Sequence, residues 1–142
     1  MAAVSKADAS WEGDLKGGSG KVKPASGAFA ELPVTWARRT DRSEGTSPEE
    51  LIAAAHAACY SMALSNELGK AGHEQTRVRT SAAVEFVPGT GITRITLTVR
   101  GSAAKIDEVE FQSLAEMARD GCPVSKLVKG NVELKLDAAL ES

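Results

Sequence analysis

Aromatic residues are scarce in this 142-residue chain, which has two tryptophans, one tyrosine and three phenylalanines. Neither sign of charge dominates, with 17 Lys and Arg against 19 Asp and Glu. Nucleic-acid recognition calls for a basic stripe and stacking platforms, so both shortages argue against it. No apolar run reaches the roughly 20 residues that span a bilayer. The opening MAAVSKADASWEGD also lacks the apolar stretch of a signal peptide. These absences predict a cytoplasmic protein with neither nucleic acid nor membrane as partner. Cysteine is sparse too, at two. In a reducing compartment such a pair is expected to rest as thiols, which leaves a transient, catalytic disulfide open and a permanent structural one disfavoured. A general disulfide oxidoreductase is disfavoured as well, because there is no C-x-x-C. The length suits a single domain, residues 1–142.

Charge is also missing from one stretch, and that absence points to the centre of the fold. Gly45 to Gly69, GTSPEELIAAAHAACYSMALSNELG, carries no charged residue from Leu51 to Leu64. A surface helix with a polar face could not show that, so the stretch predicts a helix buried nearly all round. Ser47 suits the N-cap and Pro48 the first helical position, where its missing N–H costs nothing. Glu50 completes a capping box by reaching back to the Ser47 N–H. The many alanines allow another backbone to come close. A single small domain hardly covers such a helix on every side, so an intimate homodimer is expected, with two central helices packed together and a sheet outside each.

The rest of the chain reads as strands and one more helix. SWEGDLKGGSGKVKPASGAF predicts two short strands about a glycine-rich turn. It is not a phosphate loop, because the glycine required ahead of Gly20 is absent and Val22 stands where Ser or Thr must bind magnesium. AELPVTWARRT predicts a third strand, ended by the charged loop TDRSEG. After the helix, QTRVRTSAAVEFVPGTGITRITLTVRGSA alternates around PGTG as a long hairpin with one buried face. KIDEVEFQSLAEMARDG predicts an amphipathic helix capped near Asp107 and stopped by Gly121, with Val109, Leu114, Met117 and Ala118 on its apolar side. CPVSKLV suits a short helical turn and GNVELKLDAAL a last strand. The order β-β-β-α-β-β-α-β makes this an α+β fold with no internal repeat.

The chemistry centres on the two cysteines. Cys59 lies mid-helix, too far from the N-terminus for the helix dipole, so only a side-chain cation could lower its pKa. Arg38 and Arg39, expected at the strand end before the helix, are the natural suppliers, and Glu49 is the carboxylate to hold one of them. Glu49 stands ten residues before Cys59, roughly 15 Å along a helix axis. The two therefore meet only if antiparallel helices in a dimer bring Glu49 of one chain to Cys59 of the other. Cys122, between Gly121 and Pro123, sits at the N-cap of its helical turn, and local electrostatics nominates it as the more acidic thiol. Two cysteines on separate elements suit a peroxidatic cycle, in which one thiolate becomes a sulfenic acid and the other condenses with it. A zinc site of His56, Cys59, His73 and Cys122 can be drawn, but its spacings match no usual motif, and His56 reads as a core histidine or a helper in the pocket. Met62, Leu64 and Leu68 read as core, Met62 also as pocket wall.

The run GTSPEELIAAAHAACYSMALS, with GCPVSKL some sixty residues later and SWEGDLKGGSG at the start, resembles the osmotically inducible branch of the OsmC/Ohr family of bacterial thiol peroxidases. The resemblance covers essentially the whole chain. It implies an OsmC-like intertwined α+β homodimer, two central buried helices flanked by antiparallel sheets, that reduces organic hydroperoxides, and hydrogen peroxide less well. It implies no metal or prosthetic group as cofactor, and a dithiol or lipoylated-protein reductant. By position it makes Cys59 the peroxidatic cysteine and Cys122 the resolving one, against the local reading of acidity, with Arg39 as the arginine and Glu49 as the carboxylate. The chain has Arg38, Arg39 and Thr40 where the family has one arginine and an aromatic residue, which leaves the choice between the arginines open by one position. Tyr60 replaces the common Phe and is expected to place a hydroxyl near an apolar substrate pocket. The alternative reading is a non-catalytic stress protein that binds an apolar ligand or senses oxidant through the cysteine pair.

Overall fold

Glycines at 13, 17, 18 and 20 let the chain double back early. The computed structural model, which describes residues 2–41 and 45–141, forms β1 (Ala7–Glu12) and β2 (Ser19–Pro24) about this turn and adds β3 (Leu32–Val34) on the far side of β2. All three strands are antiparallel. Gly20 faces Trp11 across the β1–β2 pair, and a Cβ there would lie 2.7 Å from the Trp11 ring and 2.4 Å from the Ser10 carbonyl oxygen. Only glycine fits that close approach.

The third strand is shorter than the sequence predicts. Val34 pairs with Gly20, close to where β2 runs out into the turn. Beyond it Thr35 accepts the Arg38 N–H at 3.3 Å, and residues Ala37–Thr40 wind into a helical turn, α1. Arg38 and Arg39 therefore stand on α1, not at a strand end. Of the charged loop TDRSEG, residues 42–44 lie outside the described residues. Gly45, at φ +95°, lies against β3, where a Cβ would come within 2.3 Å of the Pro33 oxygen. That same oxygen accepts the Thr46 N–H at 2.9 Å.

The long helix α2 spans Pro48–Lys70. Ser47 caps it as expected, accepting the Glu50 N–H at 3.1 Å. The Glu50 carboxylate departs from the capping box, because the Thr46 hydroxyl (2.7 Å) and Arg38 (2.8 Å) claim its two oxygens. Within the single chain, burial along α2 follows one stripe. His56, Tyr60, Leu64 and Leu68, spaced by four, are fully buried, whereas Ala54, Ala55 and Ala58 are exposed and Met62 is 68 % exposed. Within the single chain Met62 therefore lies outside the core. The uncharged face is left open within this chain.

The chain divides into two compact units, Met1–Leu51 and Ile52–Ser142. The second is built on a three-stranded sheet of β4 (Arg77–Val87), β5 (Gly91–Ser102) and β6 (Glu133–Leu140), with β5 in the middle. β4 and β5 form the predicted hairpin, with Thr90 N–H closing on the Val87 carbonyl at 2.9 Å. An irregularity between Glu85 and Phe86 explains why the alternation of apolar residues slips near the turn. β6 joins β5 in parallel, so this sheet is mixed. A parallel neighbour needs a crossover, and α3 (Glu108–Gly121) and α4 (Pro123–Val128) supply it. Among the described residues the strands thus form two separate sheets of three.

Asp107 caps α3 by accepting the Glu110 N–H at 2.8 Å, as expected. Its buried stripe is Phe111, Leu114, Ala115 and Ala118, an i, i+3, i+4, i+7 pattern. Val109 (81 % exposed) and Met117 (52 %) fall off that stripe and are not core. The stripe joins Tyr60, Leu64 and Leu68 of α2 and Ile95, Leu97 and Val99 of β5 in one core, each large aliphatic side chain contributing about 1.5–3 kcal/mol by burial. Among the described residues no helix is long and apolar enough to cross a membrane.

Candidate active site

Cys122 belongs to this core, fully buried, and is both the C-cap of α3 and the N-cap of α4. Cys59 on α2 is half-buried, and the two sulfurs lie 3.1 Å apart as free thiols. The structure thus brings together the two cysteines that the sequence separates by 63 positions. The start of α4 acts on the pair differently from the sequence reading, because the Val124 N–H serves Cys59 rather than its own N-cap. Burial is the largest influence on the Cys59 thiol and pushes its pKa up, as does the neighbouring Cys122 sulfur, while the Val124 hydrogen bond acts against both. A cation is needed to reverse that balance.

Cys59 opens onto a groove of about 470 Å³ whose walls include Met62, Ala63, Ala118 and Pro123. Tyr60 is not among its lining residues. The Tyr60 hydroxyl is buried and donates to the Ala115 carbonyl of α3 at 2.9 Å, so the expected effect on an apolar pocket does not arise. Burial raises the pKa of this phenol and keeps it protonated.

His56, one turn before Cys59, is fully buried and joined at 2.8 Å through Nε2 to the Ser125 hydroxyl of α4. Its Nδ1 is buried with no hydrogen-bond partner among the described residues, and burial lowers the imidazole pKa, which favours the neutral ring. His73 is engaged elsewhere, with Nδ1 donating to the Ala104 carbonyl (3.0 Å) and Nε2 bonding Glu110 (2.8 Å). The four residues of the drawn zinc site therefore do not assemble, and among the described residues no His, Cys, Asp and Glu group could hold a metal.

In the first unit, Arg39 is the arginine that meets Glu49. Its Nε and Nη2 both reach Glu49 Oε1, at 3.0 and 2.6 Å, a charge-assisted fork on a carboxylate only 5 % exposed. The Trp36 ring lies 5.4 Å from the guanidinium carbon, within cation–π range. Arg38 is committed to loop closure instead, donating to the Gly45 carbonyl (2.9 Å) and pairing with Glu50. Trp11, Leu15, Val34, Trp36 and Pro48 line a pocket of about 290 Å³ beside Arg39. Sequence reasoning missed Val124, Ser125 and Trp36. Only the first had a signal, since Cys-Pro at an N-cap announces free backbone N–H groups one position on.

Two reduced cysteines at contact distance, joined by an α+β scaffold, define a thiol-based redox protein. Comparison places it further: a family model described as OsmC-like protein matches residues 40–137, and the chain belongs to the OsmC family. It is 43 % identical over 140 residues, covering 96 % of each chain, to the peroxiredoxin OsmC of Escherichia coli strain K12. It is 30 % identical over 102 residues, 68 % of each chain, to an organic hydroperoxide resistance protein of Xanthomonas axonopodis pv. citri. Among solved structures it is similar to the organic hydroperoxide resistance protein OhrB of Bacillus subtilis, at TM-score 0.67 and 25 % identity over 94 % of this chain and 97 % of that one. At 15 % identity, the OsmC-like protein of Mycoplasma pneumoniae shares the fold, with TM-score 0.70 over the whole of both chains.

Proposed function

We propose that this protein is a cysteine-based peroxidase that removes organic hydroperoxides, and hydrogen peroxide less efficiently, working as a homodimer in the cytoplasm with residues 1–142 acting as one domain. The observation that carries the reading is the 3.1 Å contact of Cys59 and Cys122, in a chain whose relatives include proteins named for peroxide removal. Cys59 attacks the O–O bond as a thiolate. Its sulfur takes up one oxygen as a sulfenic acid, and the other oxygen leaves as alcohol once protonated. The Cys122 thiol then condenses with the sulfenic acid, forming the Cys59–Cys122 disulfide and releasing water. A dithiol or lipoylated-protein reductant returns both thiols and leaves as its own disulfide.

The single chain holds Cys59 above its ordinary pKa, and Arg39, already fixed by Glu49, is the cation assigned to lower it. In the proposed dimer the open alanine face of α2 packs on its partner, and the Arg39–Glu49 pair of one protomer faces Cys59 of the other. Glu49 fixes the guanidinium, which favours the thiolate and the departing oxygen. The apolar walls at Met62, Ala118 and Pro123 receive the organic group of the peroxide.

The test is steady-state consumption of cumene hydroperoxide in large excess over protein, with dihydrolipoamide as reductant. Many turnovers, abolished by Cys59→Ser, support the reading. Loss of about one equivalent and no more overturns it and leaves an oxidant sensor or binding protein.

A further inference from the structure

The residues flanking Cys59 on its own helix are buried polar groups that peroxide attack does not use. His56 and Tyr60 lie one turn apart, both fully buried, and each crosses to a different helix. Tyr60 ties α2 to α3 through the Ala115 carbonyl, and His56 ties α2 to α4 through Ser125. Cys122 is the residue at which α3 ends and α4 begins. The hydrogen bonds therefore bracket the cysteine pair, one on each side of Cys122.

The His56 bond is also an expensive one. A buried imidazole with Nδ1 unpartnered forfeits a hydrogen bond that an apolar side chain of similar shape would not require, and buried polar atoms left so are uncommon. Packing alone is better served by phenylalanine. What His56 adds is a directional link to Ser125, three residues beyond Cys122 on a six-residue helix. The two sulfurs must close from 3.1 Å to about 2.05 Å when the disulfide forms, so their approach depends on where α4 is held.

From this geometry we infer that His56 and Ser125 are positioning residues for the resolving step: their hydrogen bond holds α4 so that Cys122 meets the Cys59 sulfenic acid, and it sets the rate of disulfide condensation without setting the rate of peroxide attack. The inference rests on the peroxidase reading above. The step it governs is balanced as written there, with Cys59–SOH and Cys122–SH giving the disulfide and water.

The test separates the two steps. Reduced wild type, Ser125→Ala, Ser125→Thr and the double variant His56→Phe with Ser125→Ala are mixed with one equivalent of cumene hydroperoxide. Peroxide loss gives the first step. Dimedone capture against disulfide formation, read by mass spectrometry, gives the second. Ser125→Ala is expected to condense about ten- to a hundredfold more slowly, with peroxide attack within twofold of wild type and more dimedone adduct and sulfinic acid. Ser125→Thr, which keeps the hydroxyl, restores condensation. The double variant removes both polar groups and is expected to melt no lower than Ser125→Ala while still condensing slowly. Asp107→Ala, which destabilises the α3 cap without touching the link, leaves the partition unchanged. Wild-type partition in Ser125→Ala and in the double variant overturns the inference, as does a loss confined to the peroxide step. Failure of wild type itself to form a Cys59–Cys122 disulfide overturns the peroxidase reading instead.

Discussion

Replacing Glu49 by Gln keeps the shape of the side chain at the Arg39 fork and removes its charge. In the native chain Arg39 places two donors on Glu49 Oε1, at 3.0 and 2.6 Å, and Nε lies 3.3 Å from Oε2. A hydrogen bond between ionised groups contributes about 1.5–3 kcal/mol and a neutral one about 0.5–1.5, so the amide should cost about 1–2 kcal/mol. For a chain of this length that lowers Tm by about 3–8 °C. The larger effect is expected on chemistry, because Gln offers one acceptor and a competing NH2 group, leaving the guanidinium loosely aimed. A loss of about 1.4–2.7 kcal/mol in transition-state stabilisation corresponds to a ten- to hundredfold lower kcat/KM. Thermal melting and cumene hydroperoxide consumption, measured together on wild type, Glu49→Gln and Glu50→Gln, decide the point. Glu50→Gln disturbs the Arg38 pair and the Thr46 contact but leaves the Arg39–Glu49 fork alone, and is expected to keep near-wild-type kcat/KM. A Glu49→Gln protein with reduced Tm and unchanged kcat/KM would refute the reasoning and leave the ion pair purely structural.

Three further outcomes follow from the same structure. Tyr60→Phe removes the bond to Ala115 and should cost about 0.5–1.5 kcal/mol in denaturant unfolding, with no change in preference among alkyl hydroperoxides, because the hydroxyl faces α3. Gly45→Ala should fail to fold or lose several °C of Tm, since it combines φ +95° with a Cβ 2.3 Å from the Pro33 oxygen. The His73 pKa is raised, first by the Glu110 hydrogen bond and then by the Ala104 carbonyl, which together engage both ring nitrogens as donors. A raised folded-state pKa means stabilisation fully present below the unfolded value of about 6.5 and lost as pH rises through the folded value. NMR titration of His73 and urea melts across that window test it, and His73→Gln should flatten the profile.

Much of this architecture is legible in the chain because local chemistry and global fold agree. Ser47-Pro48 starts α2, Asp107 starts α3, and the alternation about PGTG builds the β4–β5 hairpin. Apolar character alone does not decide burial, because tertiary placement selects which apolar residues face the core. Val109 and Met117 are apolar but off the stripe, so they stay exposed on α3. Arg39 and Glu49 could be nominated from sequence as cation and carboxylate, yet their bidentate pairing, and the diversion of Arg38 to Gly45 and Glu50, needed the helical turn at Ala37–Thr40 that propensity did not announce. The Cys59–Cys122 contact joins helices far apart in sequence, and no local signal carries it. Ser125 is silent for the same reason, because a serine in a short helix is ordinary until His56 lies across from it.

The central claim is that Cys59 and Cys122 of one chain form a redox couple, and intact-mass analysis after one equivalent of cumene hydroperoxide tests it most directly. The account predicts a chain lighter by the two hydrogens lost in disulfide formation, with peptides around Cys59 and Cys122 linked within one protomer and full recovery on adding a dithiol. A chain that instead gains oxygen irreversibly at Cys59 while Cys122 stays a free thiol would contradict it.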